Sequence, residues 1–413
     1  MSGQRRRKIS SVVEPEVDVE ILRLAAGGDG VARLQEGLTI FVPFSAKGDR
    51  LRVKIVARHR RFARGEITEL LRAGPGRAEP RCKFFGRCGG CEWQHLAYPE
   101  QVKAKQDILS DALVRIGGWE SVPEPSFTPS PLPYSYRARA RWLARAGVVG
   151  YRERASHALC AVDSCPILVS SLGAELSMLA GSQPENTADP AEFEWEATAG
   201  TGGRVRTTRL PASGRPGPPE DGAHPGIDLD VGGDLLTISP GTFIQANRLL
   251  HEELHQAVTA CAGRGGRALE LYAGAGFFTL ALARRFAVVE AVEASASAVA
   301  DLRGNLETAG LHGVRVIEGN VERVLESTLA PAPDVIVLDP PRTGVSTEGV
   351  IRLAALRAPR IVYLSCDPAT LSRDSAVLRA HGYTLESVRG FDLFPQTSHV
   401  EALVVMVRGA GQG

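Results

Sequence analysis

The chain has 413 residues, 44% hydrophobic and 23% charged, which suits a soluble globular protein of two or three domains. No apolar run approaches the roughly 20 residues of a membrane span, and the basic start "MSGQRRRKIS" leads into "SVVEPEVDVE", which is no signal-peptide core; a cytoplasmic protein without a membrane partner is expected. Net charge is +1, yet residues 1–80 hold 16 Lys/Arg against 10 Asp/Glu, a local +6 that leaves −5 elsewhere, and this basic front suits a polyanion as well as an ordinary solvated face.

Residues 1–15 read as a basic tail. Over 16–73, the stretches "VDVEILRLA", "GVARL", "LTIFVPF", "RLRVKIVAR" and "RGEITELLR" alternate with glycine-rich turns. Five short strands in so few residues predict a small OB-like barrel. A β-rich central domain is expected over 74–240. It opens on "CKFFGRCGGCEWQHL", with Cys82, Cys88 and Cys91, and Cys165 follows far downstream in "VDSCPIL". A helix over 99–117 carries the stripe Val102, Ile108, Leu109, Ala112, Leu113 and Ile116, stops at Gly117-Gly118, and is expected to pack on the catalytic domain. The composition of 181–226, rich in Gly, Pro, Ser and Thr, predicts a loose loop. Over 241–413, strands such as "RALELY", "AVVEAVEA", "DVIVLDPP" and "RIVYLSC" alternate with helix-like segments. That alternation predicts an α/β, doubly wound, mostly parallel sheet of Rossmann type.

Chemistry concentrates at the ends of those strands. "LELYAGAGFFTLALA" is a strand, a glycine turn and a helix. Gly274 and Gly276 allow a ligand near the backbone, and Glu293, 19 residues past Gly274, can accept from ribose hydroxyls. No third glycine follows at the dinucleotide spacing. The pattern D/E-x-x-x-G-x-G resembles instead the S-adenosylmethionine (AdoMet) loop of class I methyltransferases. "VIVLDPPRTG" places Asp339 after a strand, and "VYLSCDPATLSRD" places Cys366 after the next.

Together with "GTFIQANRLL" and "FDLFPQTSHVEALVVM", these motifs run in an order that resembles the RNA uracil-5-methyltransferase family across the C-terminal half. The resemblance implies Cys366 as the nucleophile on C6 of uracil and Glu401 as the base that removes the C5 proton. It implies Asp339 against the uracil edge, and Gln245, Tyr272, Gly274, Gly276, Glu293, Asn320 and Asp339 around AdoMet. The family pattern has Asn after the cysteine; here it is Asp367. Cys160 and Cys261 fit no motif and read as small buried hydrophobes, and His399 reads as a structural hydrogen-bonder.

Seven cysteines in a cytoplasmic chain favour metal ligation or catalysis over disulfides. Cys82, Cys88, Cys91 and Cys165 suit an iron–sulfur cluster or tetrahedral zinc. The resemblance selects between them, since one branch of the family carries a [4Fe–4S] cluster on this pattern. The N-terminal barrel resembles a TRAM domain, an RNA-binding module, and its pairing with the cluster is most similar to the enzymes that act on 23S ribosomal RNA. The resemblance thus implies a monomeric, AdoMet-dependent 23S rRNA uracil-C5 methyltransferase. The alternatives are a transfer RNA uridine-C5 methyltransferase and a TRAM-containing radical-AdoMet enzyme. The cysteine spacing and the Cys366/Glu401 pair disfavour the second.

Overall fold

A computed structural model describes residues 16–182, 192–211, 226–326 and 332–409. The basic tail lies outside them, as do 183–191 and 212–225 of the segment read as a loose loop. Among the described residues no helix is long and apolar enough to cross a membrane.

Alternation along the first strands builds a one-sided sheet. β1 (Val17–Glu20), β2 (Arg23–Leu24), β3 (Gly30–Arg33), β4 (Thr39–Val42), β5 (Arg50–Arg58) and β6 (Phe62–Arg72) pair in the order β1-β5-β6-β4-β3-β2. In β5, Leu51, Val53 and Ile55 point inward while Arg50 and Lys54 face solvent, the period of 2 that a half-buried strand requires. The stretch "VDVEILRLA", expected as one strand, is split into β1 and β2.

Pro99 opens α1 (Tyr98–Arg115), whose buried face holds Gln101, Lys105, Ile108, Leu109 and Leu113. β7 (Ser126–Thr128) follows. Next come β8 (Arg139–Arg145), β9 (Val148–Arg152), β10 (Leu159–Ala161), α2 (Ser170–Gly181), β11 (Phe193–Ala199) and β12 (Val205–Pro211). The five strands form a sheet ordered β10-β9-β8-β11-β12. This corrects the reading of 181–226 as loop, because β11 lies inside that sheet, paired with both β8 and β12. "FEWEATA" and "VRTTRLP" carry aromatic and β-branched residues that fit a pleated surface; the Gly and Pro on either side hide them in a composition average. The hairpin β13 (Ile227–Val231) and β14 (Asp234–Ile238) leads into the C-terminal half.

That half alternates as expected: α3 (His251–Ala262), β15 (Gly265–Leu271), α4 (Thr279–Ala283), β16 (Phe286–Glu293), α5 (Ala296–Thr308), β17 (Val314–Glu318), α6 (Val321–Val324), β18 (Val335–Leu338), α7 (Thr347–Ala355), β19 (Arg360–Ser365), α8 (Pro368–Ala380), β20 (Tyr383–Phe391) and β21 (Glu401–Arg408). The sheet order is β17-β16-β15-β18-β19-β21-β20-β7. β15 to β19 are parallel, and β21 inserts antiparallel between β19 and β20. β18 and most of β19 are buried on both faces, which explains their unbroken apolar sequences. β7, from the central stretch, adds parallel to β20, and α1 packs on α8 and β20.

The loop 392–399, which joins β20 to β21, is held almost entirely by the preceding half. Lys105 Nζ lies 2.6 Å from Asp392 Oδ1 with both side chains fully buried, and it also donates to the Phe394 carbonyl. Gln101 and Gln396 exchange hydrogen bonds, and Tyr136 donates to the Pro395 carbonyl. The Glu92 and Trp93 amides donate to the Gln396 carbonyl, and the Ser398 amide donates to Glu92 Oε2.

Candidate active site

Three strand ends converge at the crevice where strand order reverses, between β15 and β18, the place where open α/β sheets bind ligands. β18 delivers Asp339, β19 delivers Cys366, and β21 begins at Glu401. Ser365 pairs with Ala402 in the β19–β21 register, so the next step sets Cys366 opposite Glu401. Asp367, in place of the family's Asn, is the N-cap of α8; its Oδ1 accepts from the Ala369 and Thr370 amides at 2.9 Å each. Asn and Asp perform that task about equally well.

The site holds its protons tightly. Burial pushes the Cys366 thiol up to about 12, with the Glu401 charge adding and Arg342 opposing. Burial likewise lifts Asp339 to about 7, against the Gln245 hydrogen bond. Glu401 is raised well above the carboxylate range by burial first and by Asp339 second, with Arg342 again opposing. Glu401 Oε1 is buried with no hydrogen-bond partner among the described residues. An orphaned acceptor at an active crevice marks where a substrate group can complete the bonding.

The expected AdoMet residues fall into two groups. Gln245, Tyr272, Gly274 and Asp339 line one small pocket of about 40 Å³, with Phe243, Ile244, Phe277 and Phe278. Gln245 Nε2 stands 3.5 Å from Asp339 Oδ2. Gly274 and Gly276 both have positive φ, but their surroundings differ. A Cβ at Gly274 would meet nothing within 4 Å, whereas one at Gly276 would come within 2.8 Å of Leu302 and 2.9 Å of Leu280. Gly274 thus opens onto the pocket, and Gly276 allows the turn to pack. Glu293 sits beside Gly274, accepting from its amide at 2.9 Å and from the Ser295 amide at 2.7 Å. Asn320 lies apart from the pocket lining and caps α6, accepting from the Arg323 amide.

Three residues were passed over in the sequence. Glu270, the acid that opens the glycine motif, is fully buried with Oε2 unpartnered, and burial lifts it to about 8. Phe243, in "TFIQ", is 65% exposed and lines both the small pocket and a larger cavity of about 520 Å³. Its signal is an aromatic residue two positions before Gln245. Arg342, in "DPPR", reaches the same large cavity.

Cys82, Cys88, Cys91 and Cys165 line that cavity together. Burial raises Cys88 to about 11 and Cys91 to about 12; smaller upward contributions come from Cys160, Cys165 and Cys82 for Cys88, and from Cys165, Cys88 and Cys82 for Cys91. Among the described residues no three or more His, Cys, Asp or Glu are grouped to hold a metal ion. Cys160 is fully buried, as expected of a packing residue, and its neighbours include Cys88; Cys261 is partly buried against the core of the catalytic half. His399 accepts at Nε2 from Arg342 at 3.2 Å and packs edge-on to Phe394.

Residues 236–409 match the family model described as tRNA (Uracil-5-)-methyltransferase, and residues 13–68 match the TRAM domain. The chain is 33% identical to a 23S rRNA (uracil(1939)-C(5))-methyltransferase RlmD of Pseudomonas putida, over 98% of this chain and 96% of that one. It is also 33% identical to an RNA methyltransferase of Synechocystis, over 94% and 95% of the two chains. The crystal structure of a Pyrococcus abyssi tRNA (uracil-54, C5)-methyltransferase with S-adenosyl-L-homocysteine superposes with a TM-score of 0.73 at 23% identity, covering 94% of this chain and all of that one. This last similarity establishes the shared fold.

Proposed function

Because the chain belongs to the RNA uracil-5-methyltransferase family, we propose that it methylates C5 of one uridine in 23S ribosomal RNA, with AdoMet as methyl donor. The observation that carries the reading is the convergence of Asp339, Cys366 and Glu401 from the ends of β18, β19 and β21, close enough that the charges of Glu401 and Asp339 act on the thiol. The Cys366 thiolate adds to C6 of a uridine turned out of its stack. The C5=C6 electron pair moves toward O4, where Asp339 in its protonated form can donate a hydrogen bond. C5 then takes the methyl group carried by the AdoMet sulfonium. Glu401 removes the C5 proton, and the electrons left behind expel the cysteine sulfur. Its raised proton affinity gives a strong base once ionised. Gln245, Tyr272, Gly274 and Glu293 are assigned to AdoMet. Asn320 caps α6 beside them.

The ribosomal substrate rests on the full-length relatives of that name and on the N-terminal barrel. Purified protein supplied with AdoMet and either 23S rRNA or tRNA transcripts is expected to leave one 5-methyluridine per 23S molecule and none in tRNA. Mass spectrometry of nuclease digests reads both. Methylation confined to tRNA, or on another base, overturns the assignment.

Cys82, Cys88, Cys91 and Cys165 are proposed to hold a [4Fe–4S] cluster. What supports the reading is that all four thiols line one cavity. Burial now keeps Cys88, Cys91 and Cys165 protonated, and binding a cluster would require the thiols to give up their protons. A closed set of four leaves the cluster a structural staple. Protein purified without oxygen is expected to be brown and to contain about four irons per chain. Colourless protein with one zinc per chain overturns the cluster.

A further inference from the structure

Two motif tails, "TG" at 343–344 and "RD" at 373–374, carry no part of the assigned chemistry, yet they meet in the fold. Asp374 is only 1% exposed. Its Oδ2 accepts from the Val345 amide at 3.0 Å and from the Tyr363 hydroxyl at 2.7 Å. Its Oδ1 accepts from Arg373 Nε at 2.8 Å, and Arg373 Nη2 reaches the Thr343 and Val345 carbonyls at 3.0 Å each. A buried carboxylate with both oxygens satisfied, one by a cation, holds its partners in fixed places. Gly344 packs directly on the pair. Its φ is 70°, and a Cβ there would come within 2.6 Å of Asp374 Oδ2 and 2.8 Å of Arg373 Nη2.

These bonds join the two pieces of chain on which Cys366 and Asp339 stand. Cys366 lies between Tyr363, on β19, and Asp374, on α8, and those two are bonded to each other. Asp367 caps α8 one residue after Cys366, so the helix ties the cysteine to Asp374. Asp339 opens the loop that Asp374 and Arg373 grip at its far end. Leu338 pairs with Tyr363, Pro340 and Pro341 stiffen the backbone after Asp339, and the Gly344 amide closes a turn on the Pro341 carbonyl at 2.8 Å. We propose that Asp374, together with Arg373, is a positioning residue that sets the spacing of Asp339 from Cys366. It lies outside the AdoMet pocket lining and acts through those two side chains. Uracil must meet the sulfur at C6 and the Asp339 donor at O4 at once, so this spacing governs the addition step. The proposal rests on the reading of Cys366 as nucleophile and Asp339 as donor.

The rate at which saturating 5-fluorouridine RNA becomes covalently bound, with AdoMet present, reads that step. Calorimetric AdoMet stoichiometry counts the folded molecules in each preparation. Gly344→Ala, which strains a positive φ and drives a Cβ against the carboxylate, is expected to slow adduct formation on the order of tenfold. Asp374→Asn, which puts an amide among donors, is expected to do the same. AdoMet and RNA dissociation constants are expected to stay within about twofold of the wild type, since only the reacting geometry changes. Tyr363→Phe and Arg373→Gln leave the remaining bonds in place and are expected to slow the step about threefold; they decide the matter if the stronger variants do not fold. Wild-type adduct rates in variants that bind AdoMet overturn the proposal. So does a loss that vanishes once AdoMet-competent molecules are counted, or one confined to RNA affinity. A wild-type enzyme that forms no adduct would instead remove the reading of Cys366, and the proposal with it.

Discussion

Cys366→Ala is expected to bind AdoMet as the wild type does and to form no denaturation-stable adduct with RNA containing 5-fluorouridine. Fluorine at C5 cannot leave as a proton, so the wild-type enzyme is caught after methyl transfer with its sulfur still on C6. Without the sulfur nothing adds to C6, C5 never becomes nucleophilic, and turnover falls to background. The substitution itself is mild, because Cys366 is only partly buried and lies outside the AdoMet pocket lining. Denaturing gels with methyl-labelled AdoMet read the adduct, and calorimetry reads AdoMet binding. A labelled, shifted band persisting in Cys366→Ala would move the nucleophile elsewhere.

Glu401→Gln should do the reverse and trap what the wild type releases. The amide keeps the size and one acceptor oxygen but has no useful basicity. Methyl transfer does not need the base; elimination does. The variant is therefore expected to accumulate a methylated, covalent complex with ordinary RNA while turnover drops on the order of 10²–10⁴-fold. The buried Oε1 already lacks a partner, so the exchange breaks no hydrogen bond at that atom. Slow but complete turnover with no trapped complex would mean that another group or water takes the C5 proton.

Much of the site was legible because strand ends in a parallel sheet are local features. An apolar run stopping at "DPPR" or "SCDP" places Asp339 and Cys366 at the crevice without knowledge of the rest of the fold. The glycine turn is local for the same reason, although only the packing distinguishes Gly274, which faces the pocket, from Gly276, which lies against Leu302. What escaped reading depends on chain segments far apart in sequence. The contact of Arg342 with His399 spans 57 residues and joins two motifs that were read separately. Asn320, expected around AdoMet, also caps its own helix, a role as local as a cap can be. β11 was lost for a compositional reason: a seven-residue strand with only Phe193, Trp195 and Thr198 as strand formers, flanked by glycine and proline, vanishes in a window average.

The anchoring of loop 392–399 has a consequence for how far the catalytic half can stand alone. Residues 236–409 contain every side chain assigned to the chemistry, yet the loop that positions the start of β21 is bonded to Glu92, Trp93, Gln101, Lys105 and Tyr136. Stripped of those partners, Asp392 would be an uncompensated buried charge and several carbonyls would lose their donors, penalties of a few kcal/mol each. The start of β21, with Glu401, is thus positioned by residues of the preceding half. The cysteine-bearing segment and the methyltransferase sheet share one set of interlocking bonds, so a substitution tolerated in either must be tolerated by both.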